Sequence, residues 1–195
     1  MNPVPPEVAG APPRADLRFL LRSPWHFLAL GCASGLSPVA PGTAGSLFGW
    51  VTYLGLQSVL AAWAWPPLLL LGFVGGVWIC GLTARALGLH DPSPVVWDEI
   101  VAMWLVLWVA QRAVEAMGSG ASLPWEMQLA AFALFRLFDA VKRGPVGWVD
   151  RKVGGGLGIM LDDLVAALLA LLALGAGSFL LVCIELELHG IRLVM

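Results

Sequence analysis

Long apolar runs separated by short polar stretches dominate this 195-residue chain. Residues 23–84 contain no Asp, Glu, Lys or Arg, and residues 164–184 form a second run without a charge. About 20 consecutive apolar residues are enough for a helix to cross the hydrocarbon core of a bilayer. Both runs therefore predict membrane-spanning helices.

Proline and glycine divide the first run into segments. Residues 31–46 are too rich in Gly and Pro for a regular helix, so they predict a non-helical or re-entrant segment. Two spans are predicted next, at 44–65 and 66–84, because Pro66 and Pro67 interrupt the apolar run between them.

The second half of the chain predicts three further helices. Ser93 is a suitable N-cap with Pro94 at the first helical position, and this helix extends to about Met117. Residues 123–141 predict a shorter span, for which an interfacial or buried helix is the alternative. A polar loop at 142–158 precedes the last span, at 164–184.

Composition agrees with a membrane protein. Hydrophobic residues make up 59% of the chain and charged residues only 12%, and the mean hydropathy is +0.83. A soluble domain could not hide so much apolar surface, and a disordered chain would be far more polar. We therefore expect an all-α polytopic membrane protein with about four or five membrane helices. A proline-rich tail at 1–22 would precede a single domain at 23–195.

Charge excludes some functions and predicts an orientation. The net charge of −2 gives no basic surplus for binding nucleic acid. The three cysteines form no C-x-x-C pair, so neither a disulfide framework nor a zinc site is indicated. With five spans, nine of the eleven Lys and Arg residues fall on one side of the membrane. The positive-inside rule then places the N-terminus and the polar loops in the cytoplasm.

The few acidic residues cluster at predicted helix ends on that same side. Asp98 and Glu99 would lie beyond the first turn of a helix that starts at Pro94, where the helix dipole explains them poorly. Asp162 and Asp163 would lie at the start of the last span, where capping is an alternative to metal binding. Arg136 and Asp139 would form at least an ion pair on one helix face.

Carboxylates gathered from several segments suit a hard cation with oxygen ligands. Mg²⁺ is the natural candidate, because it binds a few carboxylates together with water and substrate phosphate. Hydroxyls and backbone N–H groups of the Gly- and Ser-rich segment could help to bind a phosphate. These hydroxyls belong to Ser34, Ser37, Thr43 and Ser46.

Several motifs together resemble the phosphatidylglycerophosphatase A family. They are P-W-H at 24–26 with G-L-S-P-x-x-P-G-T-x-G-S at 35–46, H-D-P-S-P-V-V-W-D-E-I-V-A-M-W at 90–104, F-R-L-F-D at 135–139 and W-V-D-R-K-V-G-G-G-L-G-I-M-L-D-D at 148–163. The motifs follow the family's order and cover roughly residues 23–170. Each motif is weak alone, but the set is highly specific.

The resemblance implies a phosphatase of the bacterial inner membrane with its active site facing the cytoplasm. It would remove the terminal phosphate of phosphatidylglycerophosphate, leaving phosphatidylglycerol, and would require Mg²⁺. The candidate metal ligands and bases are Asp98, Glu99, Asp139, Asp162 and Asp163, with Asp150 as a further catalytic candidate. The candidate phosphate-binding residues are Arg136, Lys142, Arg151, Ser34, Ser37 and Thr43.

Two questions stay open at this stage. Either a metal-activated water or a covalent aspartyl phosphate could carry the reaction, and the absence of a D-x-D-x-T/V signature favours water. The alternative function is a small transporter or divalent-cation channel. A channel would place acids within its spans or at both ends of a pore, whereas here the densest clusters share one predicted face.

Overall fold

The computed structural model describes residues 14–118, 121–141 and 144–188, without the side chains of residues 150, 185 and 186. Every regular element in this part of the chain is a helix, which confirms the predicted all-α class. The α-helices are α1 (Leu17–Leu20), α2 (Pro24–Ala29), α3 (Pro41–Gln57), α4 (Trp65–Leu87), α5 (Trp97–Ala116), α6 (Trp125–Val141), α7 (Pro145–Lys152) and α8 (Gly155–Leu188). Short 3₁₀ helices lie at Gly31–Leu36 and Ala62–Ala64.

Helix α5 lies at the centre of the bundle. It contacts α3, α4, α6 and α8, and its residues Met103, Val106 and Leu107 are fully buried. Helix α8 also packs along α4, α6 and α7. A helix surrounded in this way must be apolar on most of its faces, as the α5 sequence is.

Glycine permits two of these helix contacts. A Cβ on Gly49 of α3 would lie 3.0 Å from Ile100 Cα of α5, and a Cβ on Gly156 of α8 would overlap the Val77 carbonyl oxygen of α4. Small residues let apolar helices approach until their backbones touch. One of the three consecutive glycines at 154–156 thus serves helix packing.

Two helical segments within the described residues are long and apolar enough to cross a membrane. They are Ala62–Leu87, with a hydropathy of 1.9, and Gly155–Ile184, with a hydropathy of 2.6. Only 11% of the most apolar window of the second segment is buried within the protein, and exposed side chains such as Leu172 and Phe179 cover its surface. Such a surface is unusual for a soluble monomer and suits lipid. The predicted four or five membrane helices are not confirmed, since α3 and α6 have only 17 residues each.

The start of α5 differs from the prediction. The helix begins at Trp97 rather than Pro94, and its N-cap residue is Val96, with no side-chain cap. The Val96 N–H instead donates to the carbonyl oxygen of Ala29, 2.9 Å away. This tertiary hydrogen bond fixes the entry to α5, so the predicted Ser93 cap is wrong.

Three other predicted boundaries are wrong. Residues 41–46, predicted as non-helical, form the start of α3, because Pro41 takes the first helical position, where its missing N–H has no cost. That helix ends at Gln57 rather than continuing to residue 65. The predicted loop at 142–158 contains all of α7 and the first residues of α8, where Gly155 has a positive φ of +69°.

Candidate active site

A cavity of about 250 Å³ opens at the end of the bundle where four helices present polar residues. It is bounded by the start of α3, the start of α5, the end of α6 and the third turn of α8. Its described lining contains six acidic residues and one basic residue, Arg136. The acidic residues are Asp91, Asp98, Glu99, Asp139, Asp162 and Asp163.

Helix α5 contributes its first turn to this cavity. Asp98 and Glu99 are the second and third residues of the helix, and both are buried. The first-turn N–H groups and the positive end of the helix dipole favour negative charge there. Because α5 starts three residues later than expected, the prediction that this pair lies beyond the first turn is wrong.

Helix α8 contributes the second acidic pair from within the helix. Asp162 and Asp163 are its eighth and ninth residues, and their exposed fractions are only 4% and 3%. The Asp163 N–H lies 3.2 Å from Asp162 Oδ1. Two turns of helix precede the pair, so capping at the start of the last span does not account for it.

Helix α6 supplies the basic residue of the cavity. Arg136 forms an ion pair with Asp139 one turn later, as its spacing predicts. Its Nη1 atom also lies 4.0 Å from Glu99 Oε1 and 3.4 Å from Ser46 Oγ. The guanidinium therefore links α6 to α5 and α3. A Cβ on Gly42 would lie 3.1 Å from Arg136 Nη2, so glycine leaves room for the guanidinium at the start of α3.

Three of the acids lie close enough together to share a cation. Asp98, Asp162 and Asp163 are all buried, and each offers one carboxylate oxygen within 4.8 Å of the other two. Asp98 Oδ1 and Asp163 Oδ2, together with Glu99 Oε2, are buried and accept no hydrogen bond. Buried like charges repel strongly unless a positive charge lies among them. The set therefore fits a hard divalent cation, to which oxygen ligands are suited.

Not every predicted residue reaches this cavity. Ser34 and Ser37 line a separate, open cavity of about 770 Å³, and their hydroxyls donate to the carbonyls of Gly31 and Val39. Thr43 lies in the first turn of α3, outside the lining.

Three predicted site residues follow α6 in the chain. Arg151 is exposed on α7 and does not line the cavity. Asp150 lies on the same helix, but its side chain is outside the described part of the chain. Lys142 also lies outside the described residues.

Some lining residues were not selected from the sequence. Ser93 and Asp91 lie in the turn that precedes α5, and Gly42 and Pro41 lie at the start of α3. The signal for Ser93 and Asp91 was the H-D-P-S-P stretch, which is polar and lies next to W-D-E. Because α5 begins only at Trp97, this stretch lies beside the acids instead of capping the helix.

Comparison with known proteins gives a family match over most of the chain. The family model described as Phosphatidylglycerophosphatase A matches residues 27–177, which include all six acids of the cavity and Arg136. This chain belongs to the phosphatidylglycerophosphatase A family. The membership confirms the resemblance seen in the motifs and the predicted enzyme class, a phosphatase of phospholipid metabolism.

Individual members of the phosphatidylglycerophosphatase A family are similar over most of their length. The Escherichia coli (strain K12) phosphatidylglycerophosphatase A is 38% identical over 80% of this chain and 84% of its own. The Haemophilus influenzae phosphatidylglycerophosphatase A is 40% identical over 80% of this chain and 90% of its own. A Bacteroides thetaiotaomicron protein named putative phosphatidylinositol-3-phosphatase is 36% identical over 79% of this chain and 88% of its own. No solved structure matches the chain.

Proposed function

We propose that this protein hydrolyses the terminal phosphomonoester of phosphatidylglycerophosphate to phosphatidylglycerol and phosphate, with Mg²⁺ as the required cation. The observation that carries the proposal is the buried oxygen cluster of Asp98, Asp162 and Asp163 beside the guanidinium of Arg136. A phosphomonoester has charged oxygens that need neutralising while an oxygen nucleophile attacks phosphorus. An acidic cavity can bind such a group only through a cation or a basic side chain, and this cavity offers places for both.

Each residue of the cavity has a role in this proposal. Asp98, Asp162 and Asp163 would hold the Mg²⁺, which when bound neutralises phosphate charge and lowers the pKa of water. Arg136 donates to phosphoryl oxygens, and its ion pair with Asp139 directs the guanidinium. The Oε2 atom of Glu99, which accepts no hydrogen bond, is available to accept the proton of the attacking water.

The bond changes of the water route balance without another reactant. The water oxygen forms a bond to phosphorus, and the bond from phosphorus to the glycerol oxygen breaks. The proton that Glu99 accepts can pass to the departing glycerol oxygen. An aspartyl phosphate is the second route, and trapping the enzyme with acid after brief exposure to ³²P-labelled substrate distinguishes the two. The water route leaves no label on the protein.

The membrane arrangement is part of the proposal. Five helices, α3 to α6 and α8, would cross the inner membrane of a bacterial cell, with the cavity at the cytoplasmic boundary. The uncharged surface of α8 and the excess of Lys and Arg on one predicted side support this orientation. In a Cys32→Ser background, Arg151→Cys should react with a membrane-impermeant maleimide only after the cells are broken. Labelling in intact cells would reverse the orientation.

Phosphate release tests the activity directly. Purified protein in detergent should release phosphate from phosphatidylglycerophosphate when Mg²⁺ is present and stop when a chelator is added. Phosphatidylinositol 3-phosphate and phosphatidic acid serve as comparison substrates, since one relative carries a different lipid in its name. Turnover of either comparison lipid without turnover of phosphatidylglycerophosphate would refute the substrate assignment.

The alternative function, a transporter or divalent-cation channel, has less support. Its acids would line a continuous path, but α5, at the centre of the bundle, carries no charged residue between Glu99 and Arg112. Ion flux through protein reconstituted in liposomes would favour the channel. Phosphatase activity without flux would exclude it.

A further inference from the structure

A second, apolar groove shares one lining residue with the acidic cavity. It has a volume of about 380 Å³ and lies between α4, α5 and α8. Its lining is almost wholly hydrocarbon, from side chains such as Leu69, Phe73, Leu105 and Leu164. Asp98 is the one ionisable residue among the lining, and the same residue lines the acidic cavity. Asp98 therefore borders both spaces.

The groove follows one face of α5. Asp98, Val101, Leu105 and Trp108 line it at spacings of three or four residues, so they lie in a row along the helix. Ten residues of α-helix separate the two ends of this row, a length of about 15 Å. That length equals the depth of one leaflet in a hydrocarbon core of about 30 Å. Trp108 also lines a polar cavity beyond the groove, so the apolar space ends there.

The two other walls of the groove are the helices best suited to the bilayer. Helices α4 and α8 supply the two candidate membrane spans, and Leu70 on the groove wall is 63% exposed. A rim residue with that exposure at hydrocarbon depth faces lipid. A hydrocarbon chain can thus enter the groove sideways from the membrane, without passing through water.

We propose that this groove holds one acyl chain of the phospholipid whose phosphate lies in the acidic cavity. The inference rests on the proposed function, in which the phosphate lies in the acidic cavity. It adds that the phosphatase recognises an acyl chain as well as the headgroup. A lipid headgroup at Asp98 puts the first carbons of a chain at the mouth of the groove. The chain already lies in hydrocarbon before binding, so the groove orients the substrate rather than extracting it from water.

Blocking the groove tests the proposal by kinetics. Ala102→Leu adds bulk to the groove wall, and Ala176→Leu makes the same change on the exposed surface of α8. We compare kcat/KM for long-chain phosphatidylglycerophosphate with kcat/KM for its deacylated headgroup. The ratio of the long-chain value to the headgroup value should fall at least tenfold in Ala102→Leu and stay unchanged in Ala176→Leu. An equal ratio in both variants overturns the proposal.

A rim variant covers the case in which Ala102→Leu does not fold. Leu70→Trp changes an exposed position, so folding tolerates it, and the indole covers the mouth of the groove. The same fall in the long-chain ratio is expected. A folded Leu70→Trp protein with the wild-type ratio counts against the groove.

Photo-crosslinking separates failure of the groove from failure of the phosphatase. Phosphatidylglycerophosphate and phosphatidylcholine, each with a diazirine on one acyl chain, are irradiated with the protein in nanodiscs. Selective labelling of residues 101–108 by phosphatidylglycerophosphate supports the groove, even if no phosphate is released and the proposed reaction is wrong. Equal labelling by both lipids, or labelling only of the outer surface of α8, overturns the groove, whatever the activity.

Discussion

The two acidic pairs of the site look alike in the sequence but occupy different environments on their helices. Asp98 and Glu99 lie in the first turn of α5, whereas Asp162 and Asp163 follow two complete turns of α8. Helix N–H groups and the positive end of the dipole stabilise the first pair. Inside α8 the backbone N–H groups are used within the helix, so the second pair receives little of that stabilisation.

This difference indicates which acidic pair depends more on a positive charge from outside its own helix. Glu99 lies 4.0 Å from the Arg136 guanidinium, while the structure gives Asp163 no ion pair with a basic residue in the described part of the chain. A buried carboxylate without such help is unfavourable. A bound cation should therefore stabilise Asp163 more than Glu99.

The largest expected effect is on turnover. Asp98→Asn and Asp163→Asn each remove a charged ligand from the cluster, and kcat should fall by about 10²–10³ or more, as for loss of a main electrostatic contributor to catalysis. Phosphate release from phosphatidylglycerophosphate measures it, with circular dichroism to confirm folding. If both variants keep full activity, the assignment of the site to either pair is wrong.

Thermal unfolding with and without Mg²⁺ compares the pairs directly. At 100 times its Kd, Mg²⁺ should stabilise the wild-type protein by about 2.7 kcal/mol, and Asp163→Asn should lose this gain. In chelator, Asp163→Asn should unfold at a higher temperature than wild type, because it removes an uncompensated buried charge. Glu99→Gln should not, since Arg136 already offsets that charge. The same shift in both variants would remove the distinction between the pairs.

Two glycines, one on α3 and one on α8, separate packing from chemistry. Gly156→Ala brings a methyl group onto the Val77 carbonyl oxygen, so it should destabilise the protein by about 1–3 kcal/mol. Gly42→Ala meets the ends of the Glu99 and Arg136 side chains instead, which can move, so it should lower kcat/KM with less effect on stability. Gly175→Ala, with open space around it, is the control. Equal loss of stability at Gly42 and Gly156 would contradict this reasoning.

Serine substitutions give the smallest effects. Ser46→Ala removes a hydroxyl 3.4 Å from Arg136 Nη1, and loss of one hydrogen bond of about 1 kcal/mol corresponds to a fall in kcat/KM of roughly fivefold. Ser37→Ala should leave kcat/KM within about twofold, because that hydroxyl donates to the Val39 carbonyl and lines the other cavity. A larger effect at Ser37 would restore its predicted role in phosphate binding.

The charged lining of the cavity was predictable because charge is so rare in this chain. Asp98, Glu99, Asp139, Asp162 and Asp163 stand out against apolar neighbours, and a buried charge needs a partner. The motifs around them then identified the family. The Arg136–Asp139 ion pair followed from helical spacing alone.

Helix boundaries were not predictable in the same way, because tertiary contacts decide them. The late start of α5 depends on a hydrogen bond from Val96 to Ala29, which is 67 positions away in the chain. The early start of α8 places Gly156 against α4, and local propensity disfavours helix in so glycine-rich a stretch. As a result, the pair expected beyond the first turn of its helix lies within that turn, and the pair expected at a helix start lies two turns inside.

The position of the acidic pair within α8 also fixes its distance from the far end of the apolar part of that helix. From Asp163 to Ile184 the helix rises about 31 Å, close to the thickness of a bilayer's hydrocarbon core. In the proposed membrane arrangement, the acidic pair would lie where the hydrocarbon ends and the headgroups begin. Hydrophobic matching would then couple catalysis to membrane thickness, since a thicker bilayer would submerge the carboxylates and a thinner one would lift them away from the lipid phosphate.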